Sequence, residues 1–208
     1  LLCLIFINPS FASYIDYLYP HRGPSFSNYG TLGLIQNPNA RFLEQGSLAF
    51  SWSHNEPYLR GSIVAYPFSW LEASYQYTDI NNQLYSDSPE FSGSQSLKDK
   101  SFDFKFRLMK EGTSLPQLAI GIRDLGGTGL FSSEYIVANK MLSRSLDVSV
   151  GIGWGNLNGN QIKNPLGFFH ERFDNRNRRD SEEGGRIQLD SFFSGSAGLF
   201  GGFEYAFS

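Results

Sequence analysis

The stretch Lys100-Ser-Phe-Asp-Phe-Lys-Phe-Arg-Leu-Met-Lys110 alternates between apolar and polar side chains without a break. One side of an extended chain would carry the apolar residues Phe102, Phe104, Phe106 and Leu108. The other side would carry the charged residues Asp103, Lys105 and Arg107. A period of two predicts a β-strand with two unlike faces. Residues 117–124 repeat the pattern after a turn-rich link, so residues 100–124 predict a β-hairpin.

Two environments fit a strand of this kind. An outer-membrane barrel places the apolar face against lipid and the charged face in a wet lumen. A soluble β-sandwich would bury the apolar face and expose the charged one. Three phenylalanines in register are more than one strand usually contributes to a sandwich core. We therefore interpret residues 100–124 as a transmembrane hairpin.

The composition agrees with a β-protein. Aromatic residues make up 16% of the 208 residues, and the 22 glycines favour tight turns. The mean hydropathy of -0.29 excludes a bundle of membrane helices but not a barrel, because half of each barrel strand faces water. The net charge of -3 gives no sign of a nucleic-acid partner, and one cysteine cannot form an internal disulfide.

The first residues predict export. The apolar run Leu1-Leu-Cys-Leu-Ile-Phe-Ile7 is followed by Ser10 and Ala12, the small residues that a signal peptidase reads. Residues 1–12 are therefore predicted to be a partial signal peptide. A lipoprotein anchored through Cys3 and a buried N-terminal strand are the alternatives. No later run approaches the roughly 20 apolar residues of a membrane helix.

Two further regions follow. Residues 13–46 form a polar segment rich in Gly, Pro and Asn, which we predict to be a periplasmic lead without a confident strand. Residues 47–208 are predicted to be the barrel domain, truncated at its C-terminus. About eight strands are expected, at residues 47–53, 58–66, 70–79, 100–110, 117–124, 133–141, 145–154 and 198–207. The predicted fold is thus an all-β, antiparallel up-and-down transmembrane β-barrel, complete or part of a larger one.

The links between these strands are unequal. The long links, residues 80–99 and 155–197, fall on one side of the predicted sheet, and short links fall on the other. Outer-membrane barrels have short periplasmic turns and longer outside loops. We expect both long links to be solvated loops, and the mixed charges of residues 170–186 predict a mobile segment.

Four motifs carry a resemblance: Asn28-Tyr-Gly-Thr-Leu-Gly-Leu-Ile35, Pro67-Phe-Ser-Trp-Leu-Glu72, Gly121-Ile-Arg-Asp-Leu-Gly-Gly-Thr-Gly-Leu-Phe-Ser-Ser-Glu-Tyr135 and Gly151-Ile-Gly-Trp-Gly155. Through them the chain resembles the YjbH/GfcD-type exopolysaccharide and group 4 capsule proteins of Gram-negative outer membranes. The resemblance implies an outer-membrane barrel that acts in polysaccharide biosynthesis or export. The implied partners are outer-membrane lipid, polysaccharide and other secretion proteins. It also implies the N-terminal part of a longer protein and supplies no catalytic residues.

Charged residues on the predicted inner face are the first candidate site: Glu72, Asp103, Lys105, Arg107, Arg123 and Asp147. They could form a ladder in the lumen that contacts sugars or ions. The structural alternative is that charges of both signs fill a narrow barrel, since barrels of about eight strands are packed with side chains. Arg123 and Asp124 could also pair with Glu134 across the following loop.

A basic cluster in the last long link is the second candidate. Its members are Arg172, Arg176, Arg178 and Arg179. They could bind an acidic polysaccharide through charge-assisted hydrogen bonds. Acidic residues nearby in the sequence reduce the net positive charge of the cluster, so a solvated loop is the alternative.

Other motifs offer no chemistry. Residues 126–129 read Gly-Gly-Thr-Gly, but the lysine and the following helix of a phosphate loop are missing, so a loop between strands is expected. The histidines lack metal-ligand spacing, and no motif suggests a Ser–His pair. We predict no catalytic, cofactor or metal site in this non-enzymatic protein of the Gram-negative outer membrane. The alternatives are a soluble periplasmic β-sandwich or lipocalin-like binder, and an outer-membrane enzyme acting on lipid or glycan.

Overall fold

The computed structural model describes residues 2–6, 24–176 and 191–207. In these residues the strands are β1 (Leu2–Phe6), β2 (Gly33–Leu34), β3 (Asn37–Pro38), β4 (Leu48–Asn55), β5 (Tyr58–Phe68), β6 (Leu71–Leu84), β7 (Ser96–Met109), β8 (Gln117–Leu125), β9 (Ser133–Ser143), β10 (Leu146–Trp154) and β11 (Ala197–Tyr205). The helical elements are α1 (Pro89–Ser92) and the 3-10 turns Gly155–Leu157, Pro165–Phe168 and Glu171–Phe173. No helix in these ranges is long and apolar enough to cross a membrane.

The main element is one antiparallel sheet with the strand order β1-β4-β5-β6-β7-β8-β9-β10-β11. The eight strands from β4 to β11 follow one another in chain order, so the predicted all-β, antiparallel, up-and-down arrangement is confirmed. Within the described residues no pairing joins β11 to β1, so the sheet is an open half-barrel rather than a closed barrel. Residues 2–6 pair with β4. Cleavage of a signal peptide stays a prediction, and so does its alternative, a lipid anchor on Cys3.

The sheet has two unlike ends. The turn end carries the links at residues 69–70, 110–116 and 144–145, and the loop end carries those at 56–57, 85–95, 126–132 and 155–196, which include the two longest. The predicted loop at residues 80–99 is shorter than expected. Strand pairing continues past the last apolar alternation, as far as Leu84 opposite Ser96, so periodicity alone placed the strand ends too early.

The two faces of the sheet match the predicted alternation. On the convex face Phe102 is 52% exposed, Val150 60% and Phe203 69%. None of the alternating apolar residues on this face of β7, β8 and β10 is buried: Phe102, Phe104, Phe106, Leu118, Ile120, Val148 and Val150. On the concave face Lys105 is 1% and Glu72 2% exposed. The apolar side chains therefore face outward and the ionic ones inward, the reverse of a water-soluble sandwich.

The concave side is filled by residues 24–46, which we call the insert. The Ser25 amide lies 3.3 Å from Glu204 near the turn end of β11, so the insert starts at that end. Its tip reaches toward the loop end, where Gly30 adopts a φ of +77° and the carbonyl of Tyr29 accepts from Ser62 at 3.1 Å. The positive φ favours glycine at this reversal. The insert then returns to the turn end, where β4 begins.

A small apolar core lies between the insert and the sheet. The insert contributes Phe26, Leu32, Ala40, Phe42 and Leu43, and the sheet contributes Ala49, Val64, Tyr66, Ala119, Tyr135 and Val137. The sequence pattern predicts a wet lumen on this side instead. The difference arises because the insert has no period of two or 3.6, so its sequence does not show that it folds against the sheet.

Candidate functional site

At the turn end, Arg41 fixes the insert to the sheet. Its guanidinium donates to both carboxylate oxygens of Asp147, at 2.8 and 2.7 Å, and to Glu111 at 2.6 Å. Burial alone would lower the pKa of Arg41, but hydrogen bonds and charges from Asp147 and Glu111 outweigh it and raise that pKa. Arg41 is therefore a permanent cation, and bidentate pairing of this kind fixes orientation as well as distance.

Glu111 completes this contact from the link between β7 and β8. Burial would raise the pKa of Glu111, but hydrogen bonds from the Met141 amide, Arg41 and Lys140 hold that pKa below its usual value. The Lys140 ammonium lies 3.1 Å from the Glu111 carboxylate. Glu111 thus links the insert, the β7–β8 turn and β9 into one charged cluster.

A second buried group occupies the middle of the concave face. The Lys105 ammonium lies 2.9 Å from a Glu72 carboxylate oxygen, close enough for an ion pair but not aligned as a hydrogen bond. The Tyr66 hydroxyl donates to the same oxygen at 2.6 Å. The ring of Phe42, from the insert, lies 4.8 Å from the ammonium. Charge and aromatic contacts offset part of the cost of burying both ions.

Toward the loop end, two arginines flank one tyrosine of the insert. The guanidinium of Arg123 lies 4.3 Å and that of Arg60 4.9 Å from the centre of the Tyr29 ring. Arg60 also lies 4.4 Å from the ring of Tyr58 and 5.0 Å from that of Phe131. These cation–π contacts hold the tip of the insert against β5 and β8.

A cavity of about 360 Å³ opens beside Arg123. Its walls come from the insert, β8, β9, β11 and the chain after β10; among the residues lining it are Tyr29, Gln36, Asn37, Arg123, Asn156 and Phe200. The Nη1 atom of Arg123 donates to the Gln36 carbonyl at 3.1 Å. Its Nε and Nη2 atoms are buried and make no hydrogen bond within the described residues.

The six charged residues predicted for the inner face all lie on the concave side. Five are buried, and Arg107 is partly buried with its guanidinium 4.5 Å from the Phe42 ring. They do not form one ladder, because Asp147 pairs with the insert, Glu72 pairs with Lys105, and Arg123 stacks on Tyr29. A role of these residues in binding a ligand stays a prediction.

The arginine cluster of the last long link is divided. Arg176 donates to both carboxylate oxygens of Glu134, at 2.7 and 2.9 Å, so Glu134 pairs with Arg176 and not with Arg123. Arg172 is exposed and stacks on Phe173. Arg178 and Arg179 lie outside the described residues, and contact between this cluster and a polysaccharide stays a prediction.

The glycine-rich link between β8 and β9 is a loop, as predicted. The amide and hydroxyl of Thr128 both donate to Asp99, at 3.0 and 2.9 Å. Asp99 lies on the neighbouring strand β7, so these contacts join the loop to the sheet. Within the part of the chain that the structure describes, no group of three or more His, Cys, Asp or Glu residues could hold a metal ion.

Sequence reasoning missed the residues that the insert contributes. Tyr29, Gln36 and Arg41 lie in a segment without strand or helix periodicity, so no pattern assigned them a face. The motif of residues 28–35 was the available signal. It marked this segment as part of the resemblance but gave no position relative to the sheet.

Comparison with known proteins gives two matches. The family model described as "Exopolysaccharide biosynthesis protein YbjH" matches residues 25–208. A protein of Escherichia coli (strain K12) named "Uncharacterized lipoprotein YjbH" is 42% identical over 207 residues. This alignment covers 99% of the present chain but 29% of that relative, so the chain spans less than a third of its length. No solved structure matches the chain.

Proposed function

The chain belongs to the YjbH family of exopolysaccharide biosynthesis proteins, and from this we propose that it is part of a transmembrane β-barrel of the Gram-negative outer membrane. The protein would take part, without catalysis, in the biosynthesis or export of an exopolysaccharide or capsule. The observation that carries this proposal is the outward apolar face of the sheet, combined with the ionic concave face. The lipoprotein name of the relative supports a location in the cell envelope.

The convex face has the properties of a lipid-contacting surface. Large apolar side chains that are more than a third exposed extend over the sheet from β4 to β11: Leu48, Trp52, Ile63, Tyr75, Phe102, Val150, Leu199 and Phe203. Monomeric soluble proteins rarely expose contiguous apolar patches of more than a few hundred Å². Outer-membrane barrels show such a band, with polar residues alternating behind it.

Aromatic stacking at the turn end supports the same placement. The rings of Phe68 and Trp70 stack with centres 5.3 Å apart, and the Trp70 and Phe106 rings are 6.2 Å apart. Phe68 and Trp70 are each 48% exposed. Barrels carry girdles of aromatic side chains where the membrane meets water. We therefore place this end at one membrane surface, and its short turns favour the periplasmic one.

The insert supports a non-catalytic role. Glu72, Lys105 and Asp147 are groups on this face that could take part in acid–base chemistry, and all three are buried in contacts with one another or with the insert. An acid or base of an enzyme must reach its substrate within hydrogen-bond distance. We propose that these groups fix the insert in the half-barrel rather than act on a glycan or lipid.

The proposed function is tested by deleting the full-length gene and measuring secreted and surface polysaccharide. Loss of polymer that is restored by the intact gene is the expected result. The full-length protein should also fractionate with the outer membrane and migrate faster on a gel when it is not heated. Extraction without detergent, together with unchanged migration on heating, would favour the soluble periplasmic binder instead.

A further inference from the structure

We propose that the cavity beside Arg123 binds a carboxylate-bearing sugar residue of the polysaccharide, with Arg123 recognising the carboxylate. This inference rests on the proposed function, because it assigns a substrate class to the same protein. It is carried by a buried cation that has unused donors and is one of the residues lining a space large enough for a ligand. The cavity of about 360 Å³ is within the range of roughly 300–1,000 Å³ that small-molecule sites occupy.

Arg123 has donors that the protein does not use. The residue is 3% exposed, and one of its nitrogens binds the Gln36 carbonyl. Its Nε and Nη2 atoms are buried and make no hydrogen bond within the described residues. A buried polar group without a partner destabilises the protein, and more so when it is charged. An anion in the cavity would remove this cost through charge-assisted hydrogen bonds.

The neighbouring acids do not take that place. Asp103 lies on the adjacent strand, but its Oδ1 atom accepts from the Asp124 amide, and no carboxylate of the described residues lies within 4 Å of the Arg123 guanidinium. Asp124 turns its carboxylate to the Phe131 amide, at 2.9 Å. The guanidinium carbon instead lies 4.3 Å from the centre of the Tyr29 ring.

The rest of the wall suits a sugar rather than a bare anion. The side-chain amide nitrogens of Asn37 and Asn156 each donate to a backbone carbonyl. Their carboxamide oxygens are left to accept from hydroxyl groups. Phe200 also lines the cavity, and its ring can pack against the C–H face of a sugar ring. Carboxylate, hydroxyl and apolar contacts are all present in one uronic acid residue.

The test uses the detergent-solubilised full-length protein and calorimetric titration. The probe is a tetrasaccharide of alternating glucuronate and N-acetylglucosamine, compared with the neutral tetramer of N-acetylglucosamine and with inorganic phosphate. The acidic tetrasaccharide should bind at least about tenfold more tightly than the neutral one, since hydrogen bonds between charged groups are among the strongest. Equal affinity for the two sugars, or phosphate binding as tight as that of the acidic sugar, would overturn the proposal.

Two variants and one control locate the site. Arg123→Met removes the cation, and Gly159→Phe adds a large ring at a residue that lines the cavity, where an added Cβ meets no other atom. Each should weaken binding of the acidic tetrasaccharide at least about tenfold. Gly112→Phe adds the same side chain in open space at the turn end and should leave affinity within twofold. Unchanged affinity in Gly159→Phe contradicts the assignment even if Arg123→Met does not fold.

Cell assays separate this inference from the proposed function. Suppose that deletion abolishes polymer, that both site variants restore it fully, and that the purified protein does not bind the acidic tetrasaccharide. The site assignment then fails and the proposed function stands. If deletion leaves polymer unchanged, the proposed function fails whatever the titrations show. If cells that carry a folded Arg123→Met protein secrete less polymer, and this protein has lost acidic-sugar binding, the site assignment and the proposed function are both supported.

Discussion

At the scale of single residues, close contact across the β8–β9 pair depends on a missing side chain. Gly121 lies opposite Tyr135, whose buried ring crosses the space where a Cβ atom of residue 121 would stand. That Cβ would lie 2.2 Å from the Cζ atom of Tyr135, far inside van der Waals contact. The tyrosine belongs to the apolar core beneath the insert, so its position is fixed on both sides.

Replacing Gly121 by valine should therefore destabilise the fold. Overpacking of this kind costs about 1–3 kcal/mol, because the ring has no free space to enter. The unfolding free energy in a urea titration of the detergent-solubilised full-length protein measures the change. Gly112→Val, where an added Cβ meets open space, is the matched control and should change stability little. Equal effects of the two variants would contradict the packing argument.

At the scale of the element, the insert depends on one cation. Arg41 joins it to Asp147 on β10 and to Glu111 in the β7–β8 turn. Removing one partner of a buried ion pair is strongly destabilising, since it leaves an uncompensated charge. Arg41→Met should lower the unfolding free energy by about 3–5 kcal/mol and make the insert more sensitive to protease. Arg144 is an exposed arginine at the same end of the sheet. Arg144→Met should change neither the unfolding free energy nor the protease sensitivity of the insert.

The same cluster predicts a pH dependence. Because the pKa of Glu111 is held below its usual value of 4.5 in the folded protein, Glu111 contributes full stability above that value. This contribution is lost as the pH falls through the lowered folded-state pKa. Urea titrations at a series of acidic pH values should show a loss of stability that becomes smaller in Glu111→Gln. An identical acid profile in that variant would contradict the role of Glu111.

At the scale of the whole molecule, the strands and their inner charged residues were predictable, whereas the contacts of the insert were not. Alternation of side chains defined the eight strands of residues 48–205 and the face that each residue occupies, because a strand's two faces follow directly from its period. The insert followed no period, so the partners of Asp147 and Arg123 could not be deduced. Long-range contacts such as Arg41–Asp147 join residues 106 positions apart, and nothing local in the sequence encodes them.

The central claim is that the convex face meets lipid. It is tested most directly by a nitroxide scan along β10 in the full-length protein, reconstituted in vesicles and free of other reactive cysteines. Power saturation at residues 148, 150 and 152 should show greater contact with membrane-dissolved oxygen than with a water-soluble nickel complex. The exposed residue Phe91, in α1 at the loop end, should show the opposite order when labelled. Greater contact with nickel at residue 150 would place this face in water and contradict the account.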